Sequence, residues 1–176
     1  RAVRHSLAIG GRQPWQPSRA LVIGAGAVGL LSTMLLRLQG LDVWTASLEP
    51  GNAIAEALGA HYVSLERTNL AKLDRFDVVV HAVADAQLAA DALGLLRRSG
   101  VACLLGIDGR DRKVELDGPV IGVDTVLENR VLLGSVNAGR QDWLAGVEAL
   151  DRARTTWPGV LEELIALRVP LDRFDD

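Results

Sequence analysis

Residues 21–29 read Leu21-Val22-Ile23-Gly24-Ala25-Gly26-Ala27-Val28-Gly29, and this stretch decides the fold. Three apolar residues form a short buried strand. The pattern G-x-G-x-x-G follows at once, and a helix begins inside it, with Val28, Leu31, Leu35 and Leu38 at helical spacing as far as Gln39. Strand, glycine turn and helix in that order is the context in which the pattern carries chemistry. Gly24 allows the tight turn, Gly26 lets a phosphate approach the backbone, and Gly29 lets the helix pack close to the strand. The helix start offers unpaired N–H groups and a partial positive charge to an anion. Gly24, Gly26, Ala27, Val28 and Gly29 are therefore expected to hold the pyrophosphate of a dinucleotide. The plainer alternative is a strand–helix turn with no ligand.

Outward from this turn, apolar strands alternate with helical patterns. Gly40 ends the first helix, and strands are predicted at 43–46, 61–63, 77–81, 101–105 and 131–133, with an edge strand at 114–116. Helices are predicted at 52–58, 85–98, 141–154 and 158–167. The alternation implies an α/β Rossmann fold, a doubly wound parallel sheet of about six strands with helices on both faces. In such sheets ligands bind beyond the carboxyl ends of the strands, where the strand order reverses. Residues 1–19 are polar and punctuated by Gly10, Gly11, Pro14 and Pro17, so they read as an entry segment and linker, with the dinucleotide-binding domain spanning 20–176.

Composition narrows the class. The chain has 176 residues, about one domain's worth, and 49% are hydrophobic, which excludes a disordered tail. Only 4% are aromatic, so Ala, Val and Leu must fill the core, as suits a buried parallel sheet. A net charge of −3 weighs against general nucleic-acid binding. No apolar run reaches the ~20 residues that span a bilayer, and no signal peptide opens the chain, so a cytoplasmic setting without membrane contact is expected. The single cysteine, Cys103, excludes an intramolecular disulfide, and lies in a predicted buried strand as a small core residue. His5, His61 and His81 are scattered, and no zinc-ligand spacing is visible.

The end of the second strand reads Trp44-Thr45-Ala46-Ser47-Leu48-Glu49. Ser47 falls where an acid normally reads the ribose of NAD. A Ser there removes the repulsion of a 2′-phosphate and admits NADP, although no Arg or Lys follows closely to grip it. Glu49 is placed to bond a ribose hydroxyl instead. The residues lean slightly to NADP over NAD. Ser47 and Glu49 also read as caps for the helix near Asn52.

Three further segments carry a family resemblance. Glu128-Asn129-Arg130-Val131-Leu132-Leu133-Gly134-Ser135-Val136-Asn137, Gly100-Val101-Ala102-Cys103-Leu104-Leu105-Gly106-Ile107, and the tail (Trp157-Pro158 to Leu164, then Val169-Pro170-Leu171-Asp172-Arg173-Phe174) resemble the C-terminal half of the zinc-type medium-chain dehydrogenases, closest to the archaeal-type glucose dehydrogenases. The resemblance implies the NAD(P)-binding domain of an enzyme that oxidises a sugar or other alcohol by hydride transfer. It implies that Leu105, Gly106 and Ile107 line the nicotinamide pocket and that Val136 and Asn137 close over the ring. Ser47, Leu48 and Glu49 would then face the ribose. It implies zinc only in a separate catalytic domain, which no stretch here matches, so the fragment alone is expected to be inactive and cut from a longer protein. It also implies association of copies through the edge strand near Val131.

One place departs from the family. Where its fourth strand ends Glu-Ala-Thr-Gly, this chain reads His81-Ala82-Val83-Ala84. His81 is placed either to bond a ribose or to be satisfied at a strand end. Two other readings stay open on the residues alone. One is a non-catalytic dinucleotide-sensing or regulatory domain. The other is a scaffold that docks a partner through apolar surface marked by Trp143 and Trp157.

Overall fold

The apolar runs become six parallel strands in the order β3-β2-β1-β4-β5-β6. This computed structural model describes residues 15–165 and 168–173. Most of the entry segment, residues 1–14, and the last residues, 174–176, lie outside the described residues. The strands are β1 (Arg19–Ile23), β2 (Asp42–Ser47), β3 (His61–Ser64), β4 (Phe76–His81), β5 (Leu96–Leu104) and β6 (Val131–Gly134). The helices are α1 (Ala27–Leu38), α2 (Ala53–Ala57), α3 (Ala86–Gly94), α4 (Thr125–Leu127), α5 (Arg140–Thr156) and α6 (Val160–Glu163), with one π turn at Val120–Asp124 and 3-10 turns at Leu70–Lys72 and Leu171–Arg173. This is the strand order of the Rossmann fold, and its reversal falls between β1 and β4.

Both faces of the sheet are covered, which is why its strands are apolar runs rather than alternating ones. On one face Leu21, Ile23, Val79 and Ala102 pack with Leu93 and Leu96. On the other, Ala20 and Val22 pack with Val43, Val78 and Val80. Phe76 is a fully buried aromatic in a core otherwise made mainly of Ala, Val, Leu and Ile, as the composition requires. Each fully buried Val or Leu contributes about 1.5–3 kcal/mol. The register runs from Arg19↔Asp42 to Ile23↔Ala46 on one side of β1, and from Ala20↔Val78 to Ile23↔His81 on the other.

The chain enters β1 through an anchored corner. Asp77 of β4 accepts the backbone N–H groups of Ser18 (2.8 Å) and Arg19 (2.9 Å) and the Ser18 hydroxyl (3.0 Å). Helix α1 buries Gly29, Leu30, Thr33 and Met34 against the sheet, and stops where Gly40 turns with φ of +82°. Met34 also meets Ala153 of α5 and Val160 of α6 in a smaller cluster that holds Trp157.

Three expectations need correction. The helix predicted at 85–98 ends at Gly94, and Leu96 already belongs to β5. Phe76 pairs with Leu96 and Val78 with Val101, so residues 97–100 form a bulge, with Ser99 at φ of 59°. Burial of Leu95 and Leu96 against Phe76 outweighs the helical pattern. Residues 114–116 form no strand: the Gln87 side-chain amide donates to the Glu115 carbonyl (2.8 Å) and accepts its N–H (2.8 Å), taking the place of a neighbouring strand. The helix predicted at 158–167 is the short α6, started by Gly159 at φ of +88°, and residues 166–167 lie outside the described residues.

Candidate functional site

The site is built at the carboxyl ends of β1, β4, β5 and β2. The turn after β1 is tied to the neighbouring strands: Gly24 N–H donates to the Ala46 carbonyl (2.7 Å), and Ala82 N–H donates to the Ile23 carbonyl (2.8 Å). Its glycines differ in what surrounds them. A Cβ on Gly24 would stand 2.7 Å from Val83 Cγ1, and one on Gly29 would collide with the Gly24 carbonyl. A Cβ on Gly26 would meet nothing within 4 Å. Two glycines are thus required by the protein's own packing, and the third faces open space at the start of α1. No side chain caps α1 and no acid lies in its first turn. By contrast, α2 and α3 begin on Asn52 and Asp85, whose side chains accept the first free N–H groups. An anion at Gly26 meets N–H groups that the protein itself leaves available.

Exposed apolar side chains surround this opening. Val28 follows the turn, Leu48 follows β2, Ile107 follows β5 and Val136 follows β6, and they are between 54% and 82% exposed. Ala27, Glu49 and Asn137 are exposed beside them, and Leu105 and Gly106 are partly buried. The fourteen residues singled out from the sequence therefore lie along one edge of the sheet, on four of its strand ends and on the turn. Among the described residues no three His, Cys, Asp or Glu side chains converge as metal ligands.

Ser47 is buried at the end of β2, and its hydroxyl donates to the Glu49 carboxylate. Tyr62 on β3 places its hydroxyl 2.7 Å from Ser47 Oγ and donates to the Glu49 carbonyl (2.9 Å). The Ser47 hydroxyl holds the Glu49 carboxyl below the usual carboxylate range, with help from its own backbone N–H. Asn52, not Ser47 or Glu49, caps α2, because its side chain accepts the Ala55 N–H (2.9 Å). Tyr62 carried no signal in the sequence, since only the β2–β3 register brings it across.

His81 is 2% exposed at the end of β4. Its Nε2 lies 2.8 Å from the Asp85 carbonyl, which can only accept, so Nε2 carries the proton and Nδ1 is a bare, buried acceptor. Burial pushes the imidazole below its usual value, and the Asp85 carbonyl and carboxylate offset this in part. The His81 carbonyl accepts both Leu105 N–H (2.8 Å) and Gly106 N–H (3.0 Å). Val83, which follows, packs into the core and against Gly24, and a Cβ on Gly106 would collide with its carbonyl. The departure at 81–84 thus puts an apolar wedge at the reversal point.

The segment Asp108-Gly109-Arg110-Asp111-Arg112 escaped the sequence reading because charged loops are usually solvated. Here the Asp108 side chain is 5% exposed and accepts from Arg110 Nε (2.7 Å) and the Ala86 N–H (3.0 Å), and Arg112 Nη2 lies 2.9 Å from it as an ion pair. Arg110 Nη2 also donates to the Ala84 carbonyl (2.6 Å), and Arg112 Nη2 lies 2.8 Å from Asp85 Oδ1. At the far end of the sheet, Arg130 is buried and donates to the Leu93 carbonyl (3.0 Å) and to Glu128 (2.6 Å). The Glu128–Arg130 part of the quoted segment therefore serves the base of β6, and only its end reaches the site.

Comparison with known proteins gives a consistent picture. A family model described as the glucose dehydrogenase C-terminus matches residues 1–176. Glucose 1-dehydrogenase of Methanocella arvoryzae is 31% identical over 100% of this chain and 51% of its own length. Glucose 1-dehydrogenase 1 of Caldivirga maquilingensis is 36% identical over 97% of this chain and 50% of its own length. The crystal structure of glucose dehydrogenase from Haloferax mediterranei superposes with a TM-score of 0.85 at 27% identity, covering 99% of this chain and 51% of that one. The same enzyme in complex with NADP, zinc and gluconolactone gives a TM-score of 0.80 at 26% identity, covering 93% of this chain and 48% of that one. The chain spans about half the length of these relatives.

Proposed function

The chain belongs to the glucose dehydrogenase C-terminal family, and from that membership we propose that it is the NAD(P)-binding domain of a zinc-dependent sugar or alcohol dehydrogenase of the glucose type. The observation that carries the reading is the open space at Gly26, between two glycines that packing closes, at the uncapped start of α1. The N–H groups of that turn would hold the pyrophosphate. The end of β2 would hold the adenosine half, and the ends of β4, β5 and β6 the nicotinamide half, following the two halves of the fold. A bound nicotinamide would supply the hydride acceptor for oxidation of the substrate carbon. Val28, Leu48, Ile107 and Val136 lend apolar surface to the rings, and the backbones of Leu105, Gly106, Val136 and Asn137 orient the carboxamide.

Within the same proposal, residues 20–176 are the dinucleotide-binding domain and 1–19 the entry segment. On this reading the zinc and the groups that handle the sugar belong to a separate catalytic domain, as the family resemblance implies. Copies associate through β6, an edge strand on which Leu132 is exposed. No helix among the described residues is long and apolar enough to cross a membrane, and the proposed setting is the cytoplasm.

For the choice of dinucleotide, two observations pull apart. Ser47 in place of an acid admits NADP, which the Haloferax enzyme holds. The ionised Glu49 carboxylate, aimed by Ser47 and Tyr62, favours the two ribose hydroxyls of NAD and repels a 2′-phosphate. The slight lean to NADP rests on Ser47 and is opposed by the Glu49 charge, so the relative affinity for NADPH and NADH is the quantity to measure. Fluorescence titration with each dinucleotide tests both levels. Saturation by either supports the domain reading, and no binding of either at millimolar concentration overturns it. Glu49→Gln is expected to raise NADPH affinity relative to NADH.

A further inference from the structure

The Asp108 cluster bridges the two loops that frame the second half of the crevice. One loop runs from β4 into α3 and contains Val83 and Ala84. The other leaves β5 through Leu105, Gly106 and Ile107. Backbone contacts already press them together, because the Val83 carbonyl fills the place a Gly106 side chain would need. Such close contact holds its spacing only if the loops cannot slide apart, and beyond the bonds of Leu105 and Gly106 N–H to the His81 carbonyl both are irregular chain. Arg110 supplies that restraint. Its guanidinium donates through Nη2 to the Ala84 carbonyl (2.6 Å) and to Asp108 (2.9 Å), and through Nε to Asp108 (2.7 Å). Asp108 in turn accepts the Ala86 N–H at the start of α3 (3.0 Å), and Arg112 joins it to Asp85, the cap of the same helix. One forked, charged group therefore spans from the β5 loop to the β4–α3 loop, and planar two-pronged pairing fixes direction as well as distance.

We propose that Asp108, Arg110 and Arg112 are positioning residues: they clasp the loops after β4 and β5 at the separation that seats the nicotinamide half of the dinucleotide. The inference rests on the dinucleotide reading above. None of the three bonds to the pyrophosphate turn or to the Ser47–Glu49–Tyr62 end of the site, and the clasped loop reaches that turn only where Val83 meets Gly24, so the clasp acts mainly on one half of the ligand. Its signature is a loss confined to that half.

The test compares two probes on the intact protein. NADH occupies both halves of the crevice, whereas ADP carries only the adenosine and phosphates. Arg110→Ala and Asp108→Asn are expected to weaken NADH on the order of tenfold, the scale of one charge-assisted hydrogen bond, and to leave ADP affinity within about twofold. Arg110→Lys keeps the charge but loses the fork, and is expected to recover only part of the NADH affinity. Equal weakening of NADH and ADP would mark the cluster as general scaffolding and overturn the proposal, as would unchanged NADH affinity in all three variants. Arg112→Ala, which leaves the Arg110–Ala84 bond in place, is a milder version to be read the same way if Asp108→Asn unfolds. Failure of the unaltered protein to bind either probe counts against the dinucleotide reading itself.

Discussion

The hydroxyls of Thr33 and Thr45 lie 2.8 Å apart, both fully buried between α1 and β2. Each is the other's partner, in a layer that is otherwise apolar. Thr33→Val or Thr45→Val strands the remaining hydroxyl and is expected to cost about 1–3 kcal/mol. The double Val variant removes both polar groups at nearly constant shape and is expected to cost clearly less than the sum. Urea unfolding of the four proteins gives the coupling directly, and additive losses would show that the bond contributes nothing.

The turn glycines separate folding from binding. Gly29→Ala forces a methyl group into the Gly24 carbonyl, so it is expected to lower the melting temperature by several degrees. Gly26→Ala adds a methyl group into open space and is expected to leave the melting temperature unchanged while abolishing NADH binding. Retained binding by Gly26→Ala would show that no ligand approaches the turn there.

Acid should loosen the corner at which β1 begins. Burial raises the Asp77 carboxyl, but the N–H groups of Ser18 and Arg19, the Ser18 hydroxyl and the Arg97 charge outweigh it and hold it below its ordinary value. A depressed carboxyl contributes its stability above the unfolded value of about 3.9 and loses it as pH falls through the folded value. Asp77→Asn is expected to cost about 1–3 kcal/mol at neutral pH and to flatten the acid limb of the stability curve. An unchanged acid limb would place the acid sensitivity elsewhere.

His81 gives a second, milder slope in a different window. Its folded value is depressed by burial, so the unfolded chain takes up the proton first as pH falls. Its contribution is full above the unfolded value of about 6.5 and declines below it, opposite in cause to Asp77 but of the same sign. Between about pH 7.5 and about pH 5.5 the unaltered protein should lose more stability than His81→Gln, which keeps an N–H donor without titrating. Equal losses would show that the bare Nδ1 finds a proton at no cost.

Much of this was legible in the sequence because the parallel sheet leaves a plain signal. Buried strands such as Val78-Val79-Val80 are apolar without alternation, and the turn at Gly24 to Gly29 sits where strand meets helix. What was not legible depends on residues far apart in the chain. Leu95 and Leu96 fit a helix until Phe76 gives them a strand partner. Glu115 fits an edge strand until the Gln87 amide takes its backbone. Tyr62 joins the ribose end only through the register of β3 on β2, and Asp108 becomes structural only because the start of α3 lies beside it. Local pattern sets elements, whereas contacts between loops set the finish of the site.

Cys103 sits next to the carboxyl end of β5, paired with Val80 on one side and Leu133 on the other, and burial pushes its thiol up. A thiol so placed reacts only when the sheet parts around it. It is thus a built-in timer: its alkylation rate reads how often the sheet opens, and a bound ligand that steadies the carboxyl edge of the sheet will slow the clock.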